Sequence, residues 1–416
     1  MNLKQSVEQK VKASKDSSRV LAKASTETKN RALLYMASAI KTKANLIIKA
    51  NKKDILKAKK LSKAMIDRLT LDKKRINEMA DSICAVAKLK DPCGVIDKMW
   101  KRRNGLVIGK LRIPIGVIGI IYESRPNVTS DCASLCIKSG NAVILKGGKE
   151  SINSNLAIYK LLREGLKKAK VPEDSIQMID SIDRKAVSYL LKLDEYIDLI
   201  IPRGGESLIK MVAKESSIPV IKHYKGVCHT YVDCDADLNK ALKIVVNAKT
   251  QRPGVCNAME TLLVDKKIAK EFLAKAVKKL ISLGVEIRGC EKTKKLVKGI
   301  KKAKESDWYE EFLDLILSVK IVDNIDDAIA HIAKYGSSHS DAIVTEDYDK
   351  SLKFLKEVDS TCVYSNASTR FTDGYQFGFG AEIGISTDKI HARGPMALDE
   401  LTIYKYIIFG NGQIRK

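Results

Sequence analysis

The spacing of hydrophobic residues divides the chain into a helical beginning and a longer region in which strands and helices alternate. Up to about residue 90, apolar side chains recur three and four positions apart, as Leu33, Met36 and Ile40 do, and this period predicts helices. From Gly116 onward, short apolar runs alternate with amphipathic segments. The runs GVIGIIY, NAVILKG, SIQMID, YIDLIIP and IPVIKHY are predicted to be strands, with a helix between each pair of neighbours.

A second region of the same kind is predicted from about Gly226. Its first helix, DADLNKALKIVVNAKT, leads into QRPGVCNAMETLLV, and the strand METLLVD is followed by another helix. Such alternation is typical of parallel sheets with helices on both faces, which bind ligands at the carboxyl ends of their strands. The predicted fold class is therefore α/β, with two doubly wound parallel-sheet domains. Two further segments, NGLVIGKLRIPIG and ELTIYKYIIFGNGQIR, are β-prone.

The composition is typical of a soluble globular protein, since apolar residues make up 45% of the 416 residues and charged residues 30%. The longest apolar run, around Val117 to Tyr122, is far shorter than the ~20 residues of a membrane span. The N-terminus has no apolar secretory segment. Nine cysteines without a C-x-x-C pair favour a reducing compartment, and none has partners at metal-ligand spacing. We expect a cytoplasmic protein with no metal site and no membrane segment.

The formal net charge of +25 raises the alternative of a nucleic-acid-binding protein. The lysines, however, are spread over helical faces, as in KKDILKAKKLSKAMIDRL, and no aromatic-interleaved basic patch accompanies them. A solvated basic surface that favours an anionic substrate and cofactor is the preferred interpretation, without a nucleic-acid partner. Steep salt dependence of polynucleotide binding would distinguish the alternative.

Three places in the sequence carry candidate chemistry, each with a structural alternative. Cys256 follows a Pro-Gly turn and is either a nucleophile or a small core residue. Asn127, after Pro126 in YESRPNVT, is either an oxyanion donor or a helix N-cap. The glycines of PRGGESL form either a pyrophosphate cradle or an ordinary turn, and Lys146 is either a phosphate ligand or a surface lysine.

The order of these features resembles the aldehyde dehydrogenase superfamily over about residues 5 to 416. The matching segments are the Asn127 loop, NAVILKGGKE, PRGGESL, GVCHTYVDCDADLNKA and GVCNAMETLLV. Within the superfamily, YESRPNVT, HIAKYGSSHSDAI, SNASTRFTDG and EIGISTDKIHARGPMAL resemble the branch that reduces the acyl phosphate of glutamate in proline biosynthesis. HIAKYGSSHSDAI, from His331 to Ile343, is the most specific of these strings.

The resemblance implies a role for each candidate. Cys256 would attack the acyl carbon and form a thioester and then a thiohemiacetal, while Asn127 and the Cys256 backbone amide hold the oxyanion. In the cofactor site, Lys146 would contact the adenosine ribose or its 2′-phosphate, Gly204, Gly205 and Ser207 would line the pyrophosphate, and Glu311 (or its neighbour Glu310) would reach the nicotinamide ribose. The residues implied to contact the substrate are Arg252, Ser337, His339, Arg370 and Arg393.

The implied reaction is the NADPH-dependent reduction of L-glutamyl 5-phosphate to L-glutamate 5-semialdehyde and phosphate. Hydrolytic members of the superfamily carry a glutamate base, whereas the corresponding stretch here, IKHYKGVCH, has no carboxylate. Without a base that activates water, a thioester is not hydrolysed rapidly and can instead exchange with phosphate. A phosphorylating or CoA-dependent reductase of another acid is the alternative within the same class.

The resemblance also implies how the chain is organised. Residues 1–100 and 115–225 would form the dinucleotide-binding domain, and 226–365 the catalytic domain that carries the cysteine. Residues 366–397 would return to the cofactor domain, and 101–114 with 398–416 would form an oligomerisation β element. The expected partners are a small-molecule substrate, further copies of the chain in a homo-oligomer, and functional coupling to glutamate 5-kinase.

Overall fold

The computed structural model describes residues 2–58, 62–222 and 224–415, which form α-helices, β-strands and short 3-10 turns. The α-helices are α1 (Leu3–Leu21), α2 (Thr26–Thr42), α3 (Ala44–Lys57), α4 (Lys63–Leu69), α5 (Lys73–Lys88), α6 (Asn127–Lys138), α7 (Ile152–Lys168), α8 (Lys185–Leu190), α9 (Glu206–Glu215), α10 (Leu238–Thr250), α11 (Ala269–Ser282), α12 (Glu291–Leu296), α13 (Ile325–Tyr335) and α14 (Tyr348–Glu357). The strands are β1 (Ile96–Lys101), β2 (Val107–Pro114), β3 (Val117–Tyr122), β4 (Ala142–Gly147), β5 (Ile176–Met178), β6 (Leu199–Arg203), β7 (Cys228–Val232), β8 (Met259–Asp265), β9 (Glu286–Gly289), β10 (Lys301–Lys302), β11 (Ile316–Val322), β12 (Ser340–Val344), β13 (Cys362–Ser365), β14 (Gly384–Ser386), β15 (Gly394–Met396) and β16 (Thr402–Phe409).

The chain divides into two compact units. Unit 1 comprises Met1–Lys222, Phe379–Gly384 and Met396–Lys416, and unit 2 comprises His223–Gly378 and Ile385–Pro395. Among the described residues, no helix combines the length and hydrophobicity that crossing a bilayer requires.

Unit 1 is built on a parallel sheet in the order β5-β4-β3-β6. Every residue of β3 and β4 is buried, because helices cover both faces of the sheet and leave no polar side for alternation. The predicted strand IPVIKHY does not form as expected. It contributes one bridge between Val220 and Ile200, and Pro219 lacks the N–H that a longer ladder needs. His223 of this stretch lies outside the described residues.

A separate three-stranded antiparallel sheet, in the order β1-β2-β16, completes unit 1. The two β-prone segments of the sequence therefore pair with each other through β2 and β16. Most of β16 is exposed, including Tyr404, Tyr406 and Phe409.

Unit 2 is built on a parallel sheet in the order β10-β9-β11-β8-β7-β12-β13. Strand β8 shows how both faces are covered. Leu262 and Val264 pack with α10 and α11, whereas Leu263 points the other way and packs with α13 and α14. Helices on both faces of a parallel sheet confirm the predicted α/β fold class.

One ion pair lies inside the core of unit 2. Lys249 at the end of α10 and Glu260 in β8 have fully buried side chains, and their charged atoms are 2.5 Å apart. Burial lowers the pKa of Lys249 and raises the pKa of Glu260, and each partner's charge acts in the opposite direction. Each residue of the pair therefore stabilises the charged form of the other, which burial alone would disfavour.

Removing one partner should strongly destabilise the protein. We expect Lys249→Met to lower the free energy of unfolding by about 3–5 kcal/mol, because it leaves the Glu260 carboxylate buried without its counter-charge. Chemical denaturation monitored by circular dichroism measures the change. The matched control is Lys275→Met, which breaks an exposed pair with Glu271 and should cost under about 0.5 kcal/mol. Equal losses in the two variants would contradict the prediction.

Candidate active site

Cys256 lies in the turn between α10 and β8, and neighbouring backbone fixes that turn. A Cβ atom added to Gly226 would lie 1.9 Å from the Cys256 carbonyl oxygen, so only glycine permits this approach. Cys228 Sγ donates to the same carbonyl oxygen at 3.2 Å. Cys256 is itself partly exposed, whereas Cys228 is fully buried, and burial holds the pKa of the Cys228 thiol well above its usual range. Of these two thiols, Cys256 is the one that a substrate can reach.

The residue after the cysteine ties the turn to a downstream segment. Asn257 Nδ2 donates to the carbonyl oxygen of Thr372 at 2.8 Å, and Thr369 Oγ1 donates to the carbonyl oxygen of Asn257 at 2.8 Å. The turn that carries Cys256 is thus held from both sides by residues far away in sequence. This arrangement restrains the backbone at the point where a nucleophile needs a fixed position.

Two arginines contribute positive charge beside Cys256. Arg370 Nε donates to Gln251 Oε1 at 2.9 Å. Partial burial lowers the pKa of Arg370, and so does the like charge of Arg252, whereas Cys256 and Asp373 act in the opposite direction. Arg252 and Cys256 therefore lie close enough to Arg370 to influence its pKa. Two neighbouring guanidinium groups form an environment that favours an anion.

The other residues predicted to contact substrate each make contacts within the protein. Ser337 Oγ accepts a hydrogen bond from the Val227 amide at 2.8 Å. His339 is fully buried, and burial lowers the pKa of its ring to about 4. Arg393 pairs with the Asp359 carboxylate at 2.8 Å. Ser337 and His339 belong to the layer beneath the Cys256 turn.

The His339 ring joins a buried polar chain. Its Nδ1 lies 2.8 Å from Ser340 Oγ and 3.7 Å from Cys228 Sγ. Ser340 Oγ lies 2.7 Å from Thr372 Oγ1, which lies 2.7 Å from the Tyr364 hydroxyl. A connected polar network of this kind fixes one arrangement of the elements that it joins.

Glu260 is a residue that the sequence analysis missed. Besides Lys249, its carboxylate accepts a hydrogen bond from the Leu313 amide at 3.3 Å, and the charge of nearby Glu311 adds to the burial that raises the pKa of Glu260. The segment that carries Glu310 and Glu311 is thus attached to the strand that follows Cys256. The available signal was the charge of Glu260 near the start of the otherwise apolar stretch that leads to Val264.

In unit 1, the candidate cofactor residues and Asn127 meet at one edge of the sheet. Lys146 lies in β4, Asn127 follows β3, and Gly204 and Gly205 follow β6, and these three strands are adjacent and parallel. Parallel strands bring their carboxyl ends to the same edge. Ser207, in the first turn of α9, is exposed there.

Asn127 is not the N-cap of its helix. Pro126 occupies that position, and Asn127 is the first residue of α6. Its Nδ2 donates to Asp131 Oδ2 at 2.8 Å, one helical turn further along. Burial raises the pKa of Asp131 to about 6, while the hydrogen bond from Asn127 and the charge of Arg203 act in the opposite direction. The N-cap alternative for Asn127 is therefore excluded.

The turn before α9 is suited to a phosphate. Gly205 is the N-cap of α9 and, being glycine, has no side chain with which to cap the helix. The Gly205 amide itself donates to Glu123 Oε2 at 2.8 Å. Lys146 Nζ donates to the Gly147 carbonyl oxygen at 2.9 Å, and burial lowers the pKa of Lys146. A helix N-terminus, two glycines and a lysine fit a dinucleotide phosphate group.

Comparison with known proteins supports the resemblance to aldehyde dehydrogenases that the sequence motifs indicated. A family model described as "Aldehyde dehydrogenase family" matches residues 2–295. A gamma-glutamyl phosphate reductase from Thermodesulfovibrio yellowstonii is 59% identical over 100% of both chains. One from Caldanaerobacter subterraneus subsp. tengcongensis is also 59% identical, over 99% of this chain and 100% of its own.

Solved structures extend this result. The crystal structure of gamma-glutamyl phosphate reductase from Thermotoga maritima matches with a TM-score of 0.97 and 48% identity, covering 99% of this chain and 100% of its own. An acetylating aldehyde dehydrogenase from Geobacillus thermoglucosidasius, at 17% identity, shares the fold with a TM-score of 0.70 over 100% of this chain and 98% of its own. The chain therefore belongs to the aldehyde dehydrogenase family, whose enzymes use nicotinamide cofactors.

Proposed function

We propose that the protein reduces L-glutamyl 5-phosphate to L-glutamate 5-semialdehyde and phosphate, the second step of proline biosynthesis from glutamate. The observation that carries the proposal is the pair Arg252 and Arg370 beside the partly exposed Cys256. An acyl phosphate with a terminal carboxylate presents anionic groups to such cations. The full-length relatives named gamma-glutamyl phosphate reductase support the same substrate.

In the proposed reaction, the Cys256 thiolate attacks the acyl carbon and the carbon–oxygen bond to phosphate breaks, which leaves a thioester on Cys256. Asn127 Nδ2 donates a hydrogen bond to the oxyanion that develops during the attack. When bound, the nicotinamide cofactor supplies the hydride that brings the acyl carbon to the aldehyde level. Cys256 finally leaves as a thiolate and releases the semialdehyde.

The thioester on Cys256 would be protected from hydrolysis because the nearby carboxylate of Glu260 is not free to activate a water molecule. The described part of the stretch IKHYKGVCH contains no carboxylate. Glu260 is only four residues after Cys256, but it is fully buried and bonded to Lys249 and the Leu313 amide. A carboxylate held in this way is not available to activate water. Phosphate is then the natural acceptor of the acyl group in the reverse direction.

The cofactor in this proposal is NADPH. Lys146 is the penultimate residue of β4, and the exposed Lys149 follows three residues later. Two lysines at the carboxyl end of one strand favour the extra 2′-phosphate of NADP over the bare ribose of NAD. Gly204, Gly205 and Ser207 would line the pyrophosphate, and Glu311 would contact the nicotinamide ribose. In this scheme, unit 1 provides the dinucleotide-binding surface and unit 2 the nucleophile.

The assembly and location of the enzyme are part of the same proposal. The exposed aromatic residues of β16 suit burial against another copy of the chain, so the β1-β2-β16 sheet would be the oligomerisation element. The enzyme would act in the cytoplasm and receive its labile acyl phosphate from glutamate 5-kinase.

The reverse reaction tests the function. Glutamate 5-semialdehyde, phosphate and NADP should give a phosphate-dependent rise in absorbance of the reduced nicotinamide. Cys256→Ser should lower kcat by at least about 10³-fold because the hydroxyl is a far weaker nucleophile than the thiolate. Cys290→Ser, at another partly exposed cysteine, is the matched control and should keep wild-type activity. A Cys256→Ser enzyme near wild-type rate would refute the mechanism.

Substitution of the two arginines tests the anion site. We expect Arg370→Gln and Arg252→Gln each to raise KM for phosphate in the reverse assay by about 10- to 100-fold, the range for a lost charged hydrogen bond. Arg31→Gln makes the same charge change on an exposed part of α2 and should leave KM unchanged. If all three variants shift KM equally, the effect reflects overall charge and the proposed contact is wrong.

A further inference from the structure

We propose that Asp131 is a positioning residue that fixes which end of the Asn127 amide faces the reacting oxygen. The inference rests on the proposed function, in which Asn127 Nδ2 donates to the oxyanion. It assigns a purpose to the hydrogen bond between Asn127 Nδ2 and Asp131 Oδ2, at 2.8 Å. No other part of the proposed mechanism uses Asp131.

An asparagine in an oxyanion site needs its orientation fixed. Its amide oxygen and nitrogen have nearly the same shape, so rotating the group by half a turn replaces a donor with an acceptor. An acceptor facing a developing negative charge would oppose the reaction. The neighbours of the amide must therefore distinguish the two orientations.

A carboxylate makes this distinction. When ionised, Asp131 has only acceptor atoms, so it favours the orientation in which Nδ2 faces it. One N–H of the nitrogen is then bonded to Asp131 and the second N–H is left to donate elsewhere. The opposite orientation would place the amide oxygen against the carboxylate, where two acceptors repel each other.

The surroundings of Asp131 support its ionised form at neutral pH. Burial raises its pKa to about 6, which still leaves the carboxylate mostly ionised near pH 7.5. The charge of Arg203, the last residue of β6, helps to hold the pKa at this level. Ser130 Oγ also donates to the Asn127 carbonyl oxygen at 2.8 Å, so the backbone and the side chain of Asn127 are each held by a neighbour in α6.

The rival explanation is that Asp131 only stabilises the first turns of α6. Polar pairs four residues apart on a helix stabilise it modestly, and such a role would affect folding but not turnover. The two explanations differ in what happens when Asn127 is absent. A positioning residue has nothing left to position, whereas a structural residue keeps its effect.

A double-mutant cycle decides between them. We would measure kcat and KM for the reverse reaction at pH 7.5 in Asn127→Ala, Asp131→Leu, Asp131→Asn and the two combinations with Asn127→Ala. Loss of an oxyanion donor should lower kcat of Asn127→Ala by about 10²–10³-fold. We expect Asp131→Leu to lower kcat by about tenfold or more with KM within about twofold, because the amide keeps its binding surroundings but loses its orientation.

Asp131→Asn is the isosteric variant and covers the case in which Asp131→Leu does not fold. Its side chain can accept from or donate to Asn127, so both amide orientations become possible, and kcat should fall by about 2- to 10-fold. In the Asn127→Ala background, either Asp131 substitution should change kcat by less than about twofold. Asp16→Asn, at an exposed helical pair with Arg19, is the matched control and should keep wild-type kinetics.

The outcomes separate this inference from the proposed function. If Asn127→Ala keeps wild-type kcat, the oxyanion role of Asn127 is wrong and the positioning role fails with it. If Asn127→Ala is impaired but Asp131→Asn keeps wild-type kcat, or the losses multiply in the double variants, the positioning role alone is overturned. Losses that appear only when Asn127 is present would support it.

Discussion

The close approach of Gly226 to the backbone of Cys256 is the constraint on which the reactive turn depends. No side chain fits between the two segments, so the start of β7 and the turn before β8 pack backbone against backbone. Cys228 follows on β7 and donates to the same carbonyl oxygen that Gly226 approaches. The position of Cys256 is thus determined by the pairing of two parallel strands, which are among the most rigid parts of a protein.

Polar groups beneath this turn extend the constraint through unit 2. His229 on β7 bonds through both its amide and its ring to Asp341 on β12, at 2.8 Å each. His339, Ser340, Thr372 and Tyr364 continue the connection toward the segment that holds Asn257. The string HIAKYGSSHSDAI therefore supplies much of the support of the site.

Unit 2 contains both a buried, paired set of charges and positive charges that lie near the partly exposed Cys256. Lys249 and Glu260 are buried together and neutralise each other, whereas Arg370 lies near the partly exposed Cys256, and the like charge of Arg252 lowers the pKa of Arg370. An incoming anion would relieve that repulsion, in keeping with the phosphorylated substrate that we propose. The high positive charge of the whole chain acts in the same direction at longer range.

The sequence by itself determined the fold class and the family, because hydrophobic period and local strings carry that information directly, and it indicated Cys256 as the candidate nucleophile. It also contained a local signal for Asp131, four positions after Asn127 on one helix face, which the motif alone did not reveal. Only the tertiary structure decided that Pro126 occupies the N-cap position of α6, that His339 is buried, that Glu260 pairs with Lys249, and that IPVIKHY forms a single bridge. These facts depend on which side chains a folded backbone brings into contact and removes from water, and residues such as His339 and Cys228, 111 positions apart, meet only after the sheet has formed.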